Sequence, residues 1–210
     1  MNILRRKLRG LVHRRLLPRW VQRRAWDEEY ATGQWDSTSL HTPDDPIYEV
    51  LGKYCVDRDI CDVGCGNGNT VTEMPPVYRT YTGVDISHVA LATAKKRAAE
   101  AGRDRVAFVH GFMHSFTPAK KPDVFLFRET LMYVPRSRSH IEDGMAVFLR
   151  RYAAMLAPGG TMIVSLCIGS PPAERFAARV EAVARKSFEL IECRRTQQPA
   201  LLVVFQPSRQ

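Results

Sequence analysis

The sequence has no acidic residue in its first 24 positions, and this absence locates the charge of the protein. Nine of the 31 basic residues lie in that segment, so the remaining 186 residues hold 22 basic and 22 acidic side chains. The formal net charge of +9 therefore belongs to residues 1–24. Because residues 25–210 are neutral as a whole, they lack the basic face that binds a phosphate backbone, which disfavours nucleic acid as a partner.

Long apolar runs and paired cysteines are also lacking. No stretch of 18 apolar residues occurs, and arginines interrupt the N-terminus where a secretory signal would need an apolar core, so we expect a cytoplasmic protein. The five cysteines form no CxxC pair, and no His/Cys pair complements Cys61 and Cys65. The sequence therefore predicts no metal site.

The basic segment, residues 1–24, carries leucines at helical spacing between its arginines, as at Leu4, Leu8 and Leu11. This pattern is typical of a basic amphipathic helix. Such a helix would lie on an anionic membrane, peripheral to the inner membrane surface, or pack on the rest of the chain as a lid. Residues 25–54 are polar, aromatic and rich in turn residues before a short helix, and we interpret them as a cap or lid.

From residue 55 onwards, short apolar runs alternate with helical stretches. Five predicted strands separated by connecting segments, several of them helical, indicate βαβ units and a parallel sheet. The last two strands are joined by a short connection, which favours an antiparallel hairpin. The predicted fold class is α/β: a Rossmann-like, mostly parallel seven-stranded sheet with an antiparallel C-terminal edge strand and helices on both faces. The predicted strands are 59–63, 81–86, 105–111, 123–128, 161–167, 188–193 and 200–206.

A glycine-rich loop, "ICDVGCGNGNT" at residues 60–70, directly follows the first strand. Glycines at this place let the backbone approach a ligand closely. The spacing of Gly64, Gly66 and Gly68 is G-x-G-x-G, which departs from the G-x-G-x-x-G of dinucleotide-binding folds. No G-K-[ST] follows, so nucleotide hydrolysis is disfavoured as well.

The pattern D-x-G-x-G-x-G after a strand resembles motif I of class I S-adenosylmethionine-dependent methyltransferases. The resemblance runs from Ile60 to the C-terminus, through "YTGVDIS", "FVHGFMHSF", "PDVFLFRETLMYVP" and "LAPGGTMIVS". It implies S-adenosyl-L-methionine as cofactor, with Asp85 on the ribose hydroxyls and Asp62 toward the methionyl ammonium. The cofactor-binding positions implied by this resemblance are Asp62, Gly64, Gly66, Asp85, Ile86, Gly111, Phe112, Met113 and Arg128.

Two further stretches resemble bacterial enzymes of this kind. "WDEEYATGQWD", residues 26–36, is similar to the N-terminal cap of small-molecule and sugar methyltransferases, in which an aromatic pair closes over the cofactor; Tyr30 and Trp35 match that pair. "RETLMYV" is similar to the fourth-strand motif of oligosaccharide-modifying nodulation methyltransferases. Phe112 departs from the family, which often has an acidic residue there to receive the adenine amino group.

The candidate catalytic residues are Glu129, where the fourth strand ends, and His114, which follows the adenine segment. Glu129 would take a proton from an acceptor or hold an amine. Asp36 and His41 in the cap are further candidates. We therefore predict methyl transfer to a small-molecule acceptor, a hydroxyl of a sugar, glycan or natural product. The alternatives are an N-methyltransferase, an RNA-modifying enzyme and a cofactor-binding partner subunit without activity; no oligomeric state is predicted.

Overall fold

A single seven-stranded sheet organises the chain. The computed structural model describes residues 18–33, 35, 45–134, 141–198 and 200–208. The strand order is β3-β2-β1-β4-β5-β7-β6. The first five strands pair in parallel, and β7 pairs antiparallel with both β5 and β6. The strands are β1 Asp59–Val63, β2 Thr80–Asp85, β3 Val106–His110, β4 Val124–Arg128, β5 Thr161–Cys167, β6 Glu189–Arg195 and β7 Ala200–Gln206.

This topology confirms the predicted fold class and adds the order of the last two strands. The predicted hairpin forms, but β7 lies beside β5 and β6 takes the outer edge. The physical reason is the apolar character of β7: its central five residues are buried, whereas every residue of β6 is exposed or half-buried. A strand that is apolar on both faces gains most from a place inside the sheet.

Helices cover both faces of the sheet, as predicted. A five-residue helix within the glycine-rich region was not predicted, and the first helix crosses residue 24, where the basic segment was expected to end. None of the helices in the described ranges is long and apolar enough to cross a membrane. The helices are α1 Arg19–Ala31, α2 Ile47–Tyr54, α3 Asn69–Glu73, α4 His88–Glu100, α5 Ile141–Ala153 and α6 Pro171–Ser187, with a 3₁₀ turn at Leu131–Tyr133.

The core lies on both sides of the sheet because successive strand residues point to opposite faces. In β4, Phe125 and Phe127 pack against Tyr152 of α5 with ring centroids 4.9 and 5.0 Å away. Leu126, on the other face of the strand, belongs to the cluster that contains Leu51 of α2. The continuous apolar runs of β1, β4, β5 and β7 are thus strands buried on both faces.

The strand order reverses direction between β1 and β4, and this reversal positions the functional site. The chain proceeds outward from β1 through β2 to β3, then returns to the other side of β1 at β4. The loops that leave β1 and β4 therefore diverge at the carboxyl ends of adjacent strands. Ligands of open α/β sheets bind in the crevice formed by such a divergence.

The opposite end of the sheet is held by a buried carboxylate. Asp59, at the start of β1, accepts hydrogen bonds from Arg79 Nε at 2.9 Å, Thr80 Oγ1 at 2.8 Å and Lys120 Nζ at 2.7 Å. Arg79 Nη2 also donates to Asp123 Oδ2 at 2.6 Å, which joins the start of β2 to that of β4. The hydrogen bond from Arg79 is the largest cause that holds the pKa of Asp59 well below its usual range.

We expect Asp59→Asn to lower the free energy of unfolding at pH 7 by about 1–3 kcal/mol, because charged hydrogen bonds to a buried acceptor are weakened. A lowered native pKa stabilises the fold fully above the unfolded-state pKa of about 3.9 and less as the pH falls below it. The difference in the free energy of unfolding between wild type and Asp59→Asn should therefore be smaller at pH 3 than at pH 7. Urea unfolding at pH 7 and pH 3 measures both effects.

Asp104→Asn is the matched control, since Asp104 contacts Arg105 at 3.5 Å through exposed side chains. Such surface pairs contribute little. Equal urea midpoints for all three proteins at pH 7, or a difference that is no smaller at pH 3, would contradict the role given to Asp59.

Candidate active site

The glycine-rich loop is wedged between two other parts of the chain. Gly64 and Gly66 have φ angles of 81° and 54°, in the left-handed region that favours glycine. A Cβ atom on Gly64 would lie 2.5 Å from Thr130 Cγ2, and one on Gly66 would lie 2.7 Å from the Tyr30 hydroxyl. The loop after β1 thus has space for backbone alone between the segment after β4 and helix α1.

Asp85, at the end of β2, ties this loop to the start of α4. Its Oδ2 accepts the backbone N–H of Gly66 at 2.9 Å, and its Oδ1 accepts the N–H of Ser87 at 2.9 Å. Burial is the largest cause that raises the pKa of Asp85. A carboxylate has about four acceptor positions, so two backbone bonds fix Asp85 in place and leave acceptor capacity toward a ligand.

Asp62 lies beneath the loop and is 1% exposed. Tyr81 donates its hydroxyl to Asp62 Oδ2 at 2.5 Å. Oδ1 has no hydrogen-bond partner among the residues that the structure describes. Burial raises the pKa of Asp62 to about 6, against the opposing effect of the Tyr81 hydrogen bond. Asp62 is therefore a buried, half-satisfied carboxyl under the loop, and its contact with an ammonium group stays a prediction.

A cavity of about 640 Å³ opens above the carboxyl ends of the strands. This volume lies within the range of about 300–1,000 Å³ of small-molecule sites. Of the cofactor-binding residues, Glu129 and His114 that the sequence predicts, all except Asp62 lie in its wall. Those residues are Tyr30, Trp35, Gly64, Gly66, Asp85, Ile86, Gly111, Phe112, Met113, His114, Arg128 and Glu129.

Four aromatic side chains form one side of the cavity. Trp26 is central: its ring centroid lies 6.1 Å from that of Tyr30, 5.8 Å from that of Trp35 and 5.1 Å from that of Tyr133. Burial raises the pKa of Tyr133 to about 12, so its hydroxyl is neutral at physiological pH. All four aromatic residues line the cavity, and aromatic rings attract cationic groups.

Arg128 and Glu129, at the end of β4, have different environments. Arg128 donates to Asp45 Oδ2 at 2.5 Å and to the Tyr48 hydroxyl at 3.1 Å, so its charge is matched within the protein. Glu129 accepts the N–H of Cys167 through Oε1. Burial is the largest cause that raises the pKa of Glu129 to about 7. The cavity therefore holds a carboxyl group that changes protonation near neutral pH.

The backbone of Glu129 is itself unusual, with a φ of 55° at a residue that is not glycine. Such a conformation costs about 1–3 kcal/mol and concentrates at functional sites. The N–H of Glu129 donates to Ser165 O at 2.9 Å, which anchors the residue to β5.

His114 lies in the wall that follows β3. Its ring centroid is 4.9 Å from that of Phe112 and 5.7 Å from that of Phe148. These contacts indicate a side chain packed in an aromatic setting. The other predicted candidates, Asp36 and His41, lie outside the described residues, as do residues 1–17.

Sequence reasoning missed part of the site on α1. Gln22 is 7% exposed and lines the cavity, although it was assigned to the basic segment. Gln22, Trp26 and Tyr30 are spaced four residues apart, which places them on one helical face. That spacing, read across residue 24, would have extended the cap back through Gln22. Thr130 was missed too; it donates Oγ1–H to Val63 O at 2.8 Å beside Gly64.

The sequence is similar to those of known methyltransferases. The family described as "Methyltransferase domain" matches residues 56–200. A trans-aconitate 2-methyltransferase of Acidovorax sp. (strain JS42) is 30% identical over 125 residues, 58% of this chain and 43% of that protein. A ubiquinone biosynthesis O-methyltransferase of Vibrio parahaemolyticus is 28% identical over 147 residues, 66% of this chain and 59% of that protein. The chain thus spans about half the length of these curated relatives.

A solved structure shares the fold. The N-methyltransferase NodS from Bradyrhizobium japonicum WM9, in complex with S-adenosyl-L-homocysteine, superposes with a TM-score of 0.67 at 16% identity and covers 89% of this chain and 98% of that chain. The family match covers more than half of the sequence. This chain therefore belongs to the methyltransferase-domain family, and its predicted membership of the class I S-adenosylmethionine-dependent methyltransferases is confirmed.

Proposed function

We propose that this chain transfers the methyl group of S-adenosylmethionine to a hydroxyl group of a small molecule, with Glu129 as general base. The observation that carries this proposal is a cavity-wall carboxyl whose pKa is raised to about 7. A base is most effective when its pKa lies near the working pH. A sugar, glycan or related natural product is the acceptor that the sequence resemblance favours.

The residues present fit the cofactor. The wall at Gly64 and Gly66 has no room for side chains, so backbone groups alone meet a ligand there. Of the described wall residues, Arg128 is the only arginine or lysine, and Asp45 already pairs with it. Phosphates favour unpaired arginines and lysines. A ligand with a ribose, an aromatic base and a positive sulfur matches this wall better than a phosphorylated nucleotide does.

Each part of the wall has an assigned role. Asp85 accepts hydrogen bonds from the two ribose hydroxyls, and the backbone at Gly64 and Gly66 lies along the methionyl portion. Phe112 and Met113 provide the apolar surface for adenine. When bound, the cofactor supplies a methyl group already activated by a positively charged sulfur.

Glu129 then has one task, which is to hold and move a proton. Its Oε1 accepts the Cys167 N–H, and we assign Oε2 as the atom that takes the proton of the acceptor hydroxyl. The bond to Cys167 and the anchoring of its backbone to β5 fix the carboxyl in position. Positioning of this kind is a major source of rate enhancement in two-substrate reactions.

N-methylation is the alternative that the same residue allows, because an ionised Glu129 would hold an ammonium group. It differs from O-methylation in what the carboxylate does: it binds the acceptor, whose ammonium nitrogen gives its proton to solvent before its lone pair attacks the methyl carbon, rather than acting as the base itself. Loss of the charge would then raise KM and leave kcat little changed.

A substitution of Asp85 tests the proposed cofactor site. We expect Asp85→Ala to weaken binding of S-adenosylmethionine by about 1–3 kcal/mol, since the ribose hydroxyls lose a charged acceptor. Calorimetry measures this, and NAD should give no binding signal with the wild type. Asp104→Ala, at an exposed position away from the cavity, is the control. Unchanged affinity in Asp85→Ala would place the ribose elsewhere.

A substitution of Glu129 tests the proposed general base. We expect Glu129→Gln to lower kcat by roughly 10²- to 10⁴-fold with little change in cofactor affinity. In the wild type, kcat should rise with pH as Glu129 loses its proton, with half of the maximum near pH 7, and this inflection should vanish in the variant. Acceptors are found beforehand by screening hydroxyl- and amine-bearing small molecules with a radiolabelled methyl donor.

Glu100→Gln is the control for this measurement, because Glu100 lies at the exposed end of α4 beside Lys96. A Glu129→Gln enzyme with a normal kcat and a raised KM would support the amine alternative. Normal values of both constants would remove Glu129 from the mechanism.

A further inference from the structure

Helix α1 is docked on the body of the protein through Asp27. Its Oδ1 accepts the Ser87 hydroxyl at 2.8 Å and the N–H of Val89 at 3.3 Å. Ser87 is the N-cap of α4 and also accepts the N–H of Ala90 at 3.1 Å. A carboxylate at this place satisfies a free N–H and interacts favourably with the helix dipole.

The same contacts continue into the ribose site. The N–H of Ser87 donates to Asp85 Oδ1, and the N–H of Gly66 donates to Asp85 Oδ2, both at 2.9 Å. Tyr30, one turn beyond Asp27 on α1, lies against Gly66. These contacts form a continuous ring around one wall of the cavity. They connect helix α1, the start of α4, Asp85 and the glycine-rich loop.

We propose that Asp27 is a positioning residue that couples docking of α1 to occupation of the S-adenosylmethionine site; this rests on the proposed function. Docking of α1 brings Gln22, Trp26 and Tyr30 to the cavity wall. A ligand that contacts this wall shifts the equilibrium toward the docked helix. The protein with α1 docked then binds the ligand more tightly, by the same factor as the shift in the docking equilibrium. Asp27 itself is not one of the wall residues, so it acts through Ser87 and α1.

The sequence provides a built-in reporter for this coupling. All three tryptophans of the chain, Trp20, Trp26 and Trp35, fall in or just after α1. Trp26 and Trp35 line the cavity, whereas Trp20 is 64% exposed. Tryptophan fluorescence and its quenching by acrylamide therefore report on this segment alone, and S-adenosylhomocysteine is the probe ligand.

We expect Asp27→Asn to raise the Kd for S-adenosylhomocysteine roughly 5- to 30-fold, because a charged acceptor of two hydrogen bonds is lost. In the full-length wild type, the ligand should reduce quenching of tryptophan fluorescence by acrylamide. In Asp27→Asn without ligand, quenching should be greater than in the wild type. Saturating ligand should reduce it less than in the wild type. Glu28→Gln is the matched control. Glu28 is the next residue, pairs with Arg24 at 3.1 Å on the exposed side of α1, and should change Kd by less than about twofold.

Two measurements separate coupling from a loss of fold. Asp27→Glu keeps the charge and should restore part of the affinity. A double-mutant cycle of Asp27→Asn with Ser87→Ala should be non-additive, because both changes remove the same contact. A purely structural role would lower the melting temperature while the ligand-dependent change in quenching stayed the same, and that result would overturn the proposal.

The outcomes for the proposed coupling through Asp27 and for the proposed enzyme activity are distinguishable. If the wild type binds S-adenosylhomocysteine and Asp27→Asn shows the same Kd and the same acrylamide quenching, the coupling alone is overturned. A wild type that does not bind S-adenosylhomocysteine at all would overturn the proposed function together with it.

Discussion

The site depends on one buried carboxylate that accepts two backbone N–H groups. Asp85 holds the N–H of Gly66 from the loop after β1 and the N–H of Ser87 from the start of α4. These two segments come from different βα units, and Arg97 of α4 joins them a second time by donating to Asn67 O at 3.1 Å. A charged acceptor between them fixes the gap into which a ligand inserts, and burial makes that acceptor stronger toward any donor that arrives.

Burial of carboxyl groups recurs across the site and gives it its chemical character. Asp62, Asp85 and Glu129 all have pKa values raised first by burial, and Arg128, close by, is already matched by Asp45. Burying charge costs free energy unless partners are supplied. Here the partners are backbone N–H groups and single hydroxyls, so part of each carboxyl's bonding capacity is kept for the ligand. At the other end of the sheet, Asp59 pairs with Arg79 and Lys120, and we expect it to serve stability instead.

The sequence predicted the parts of the fold that depend on local pattern. Doubly buried strands read as continuous apolar runs, Ser87 was recognised as an N-cap, and the glycine spacing located the loop. It did not predict that α1 continues the cap. The boundary at residue 24 was placed where the basic residues end, but Gln22, Trp26 and Tyr30 lie on one helical face on both sides of that boundary. Nor could it predict the pairing of Arg128 with Asp45, 83 residues apart, or the left-handed backbone of Glu129, which tertiary contacts impose.

The two halves of the cavity differ in how their chemistry is encoded. In the proposed function, backbone shape and the Asp85 carboxylate recognise the cofactor, so the glycine positions and Asp85 leave a recognisable pattern in the sequence. The proposed acceptor side is formed by side chains whose positions are set by contacts between distant parts of the chain: Glu129 accepts the N–H of Cys167 of β5, and Trp26 of α1 contacts Tyr133 after β4. Each of these contacts joins elements that are far apart in the chain. The acceptor half can therefore change by substitution of single side chains while the sheet, the loop and Asp85 stay as they are, because none of those elements depends on which acceptor is bound.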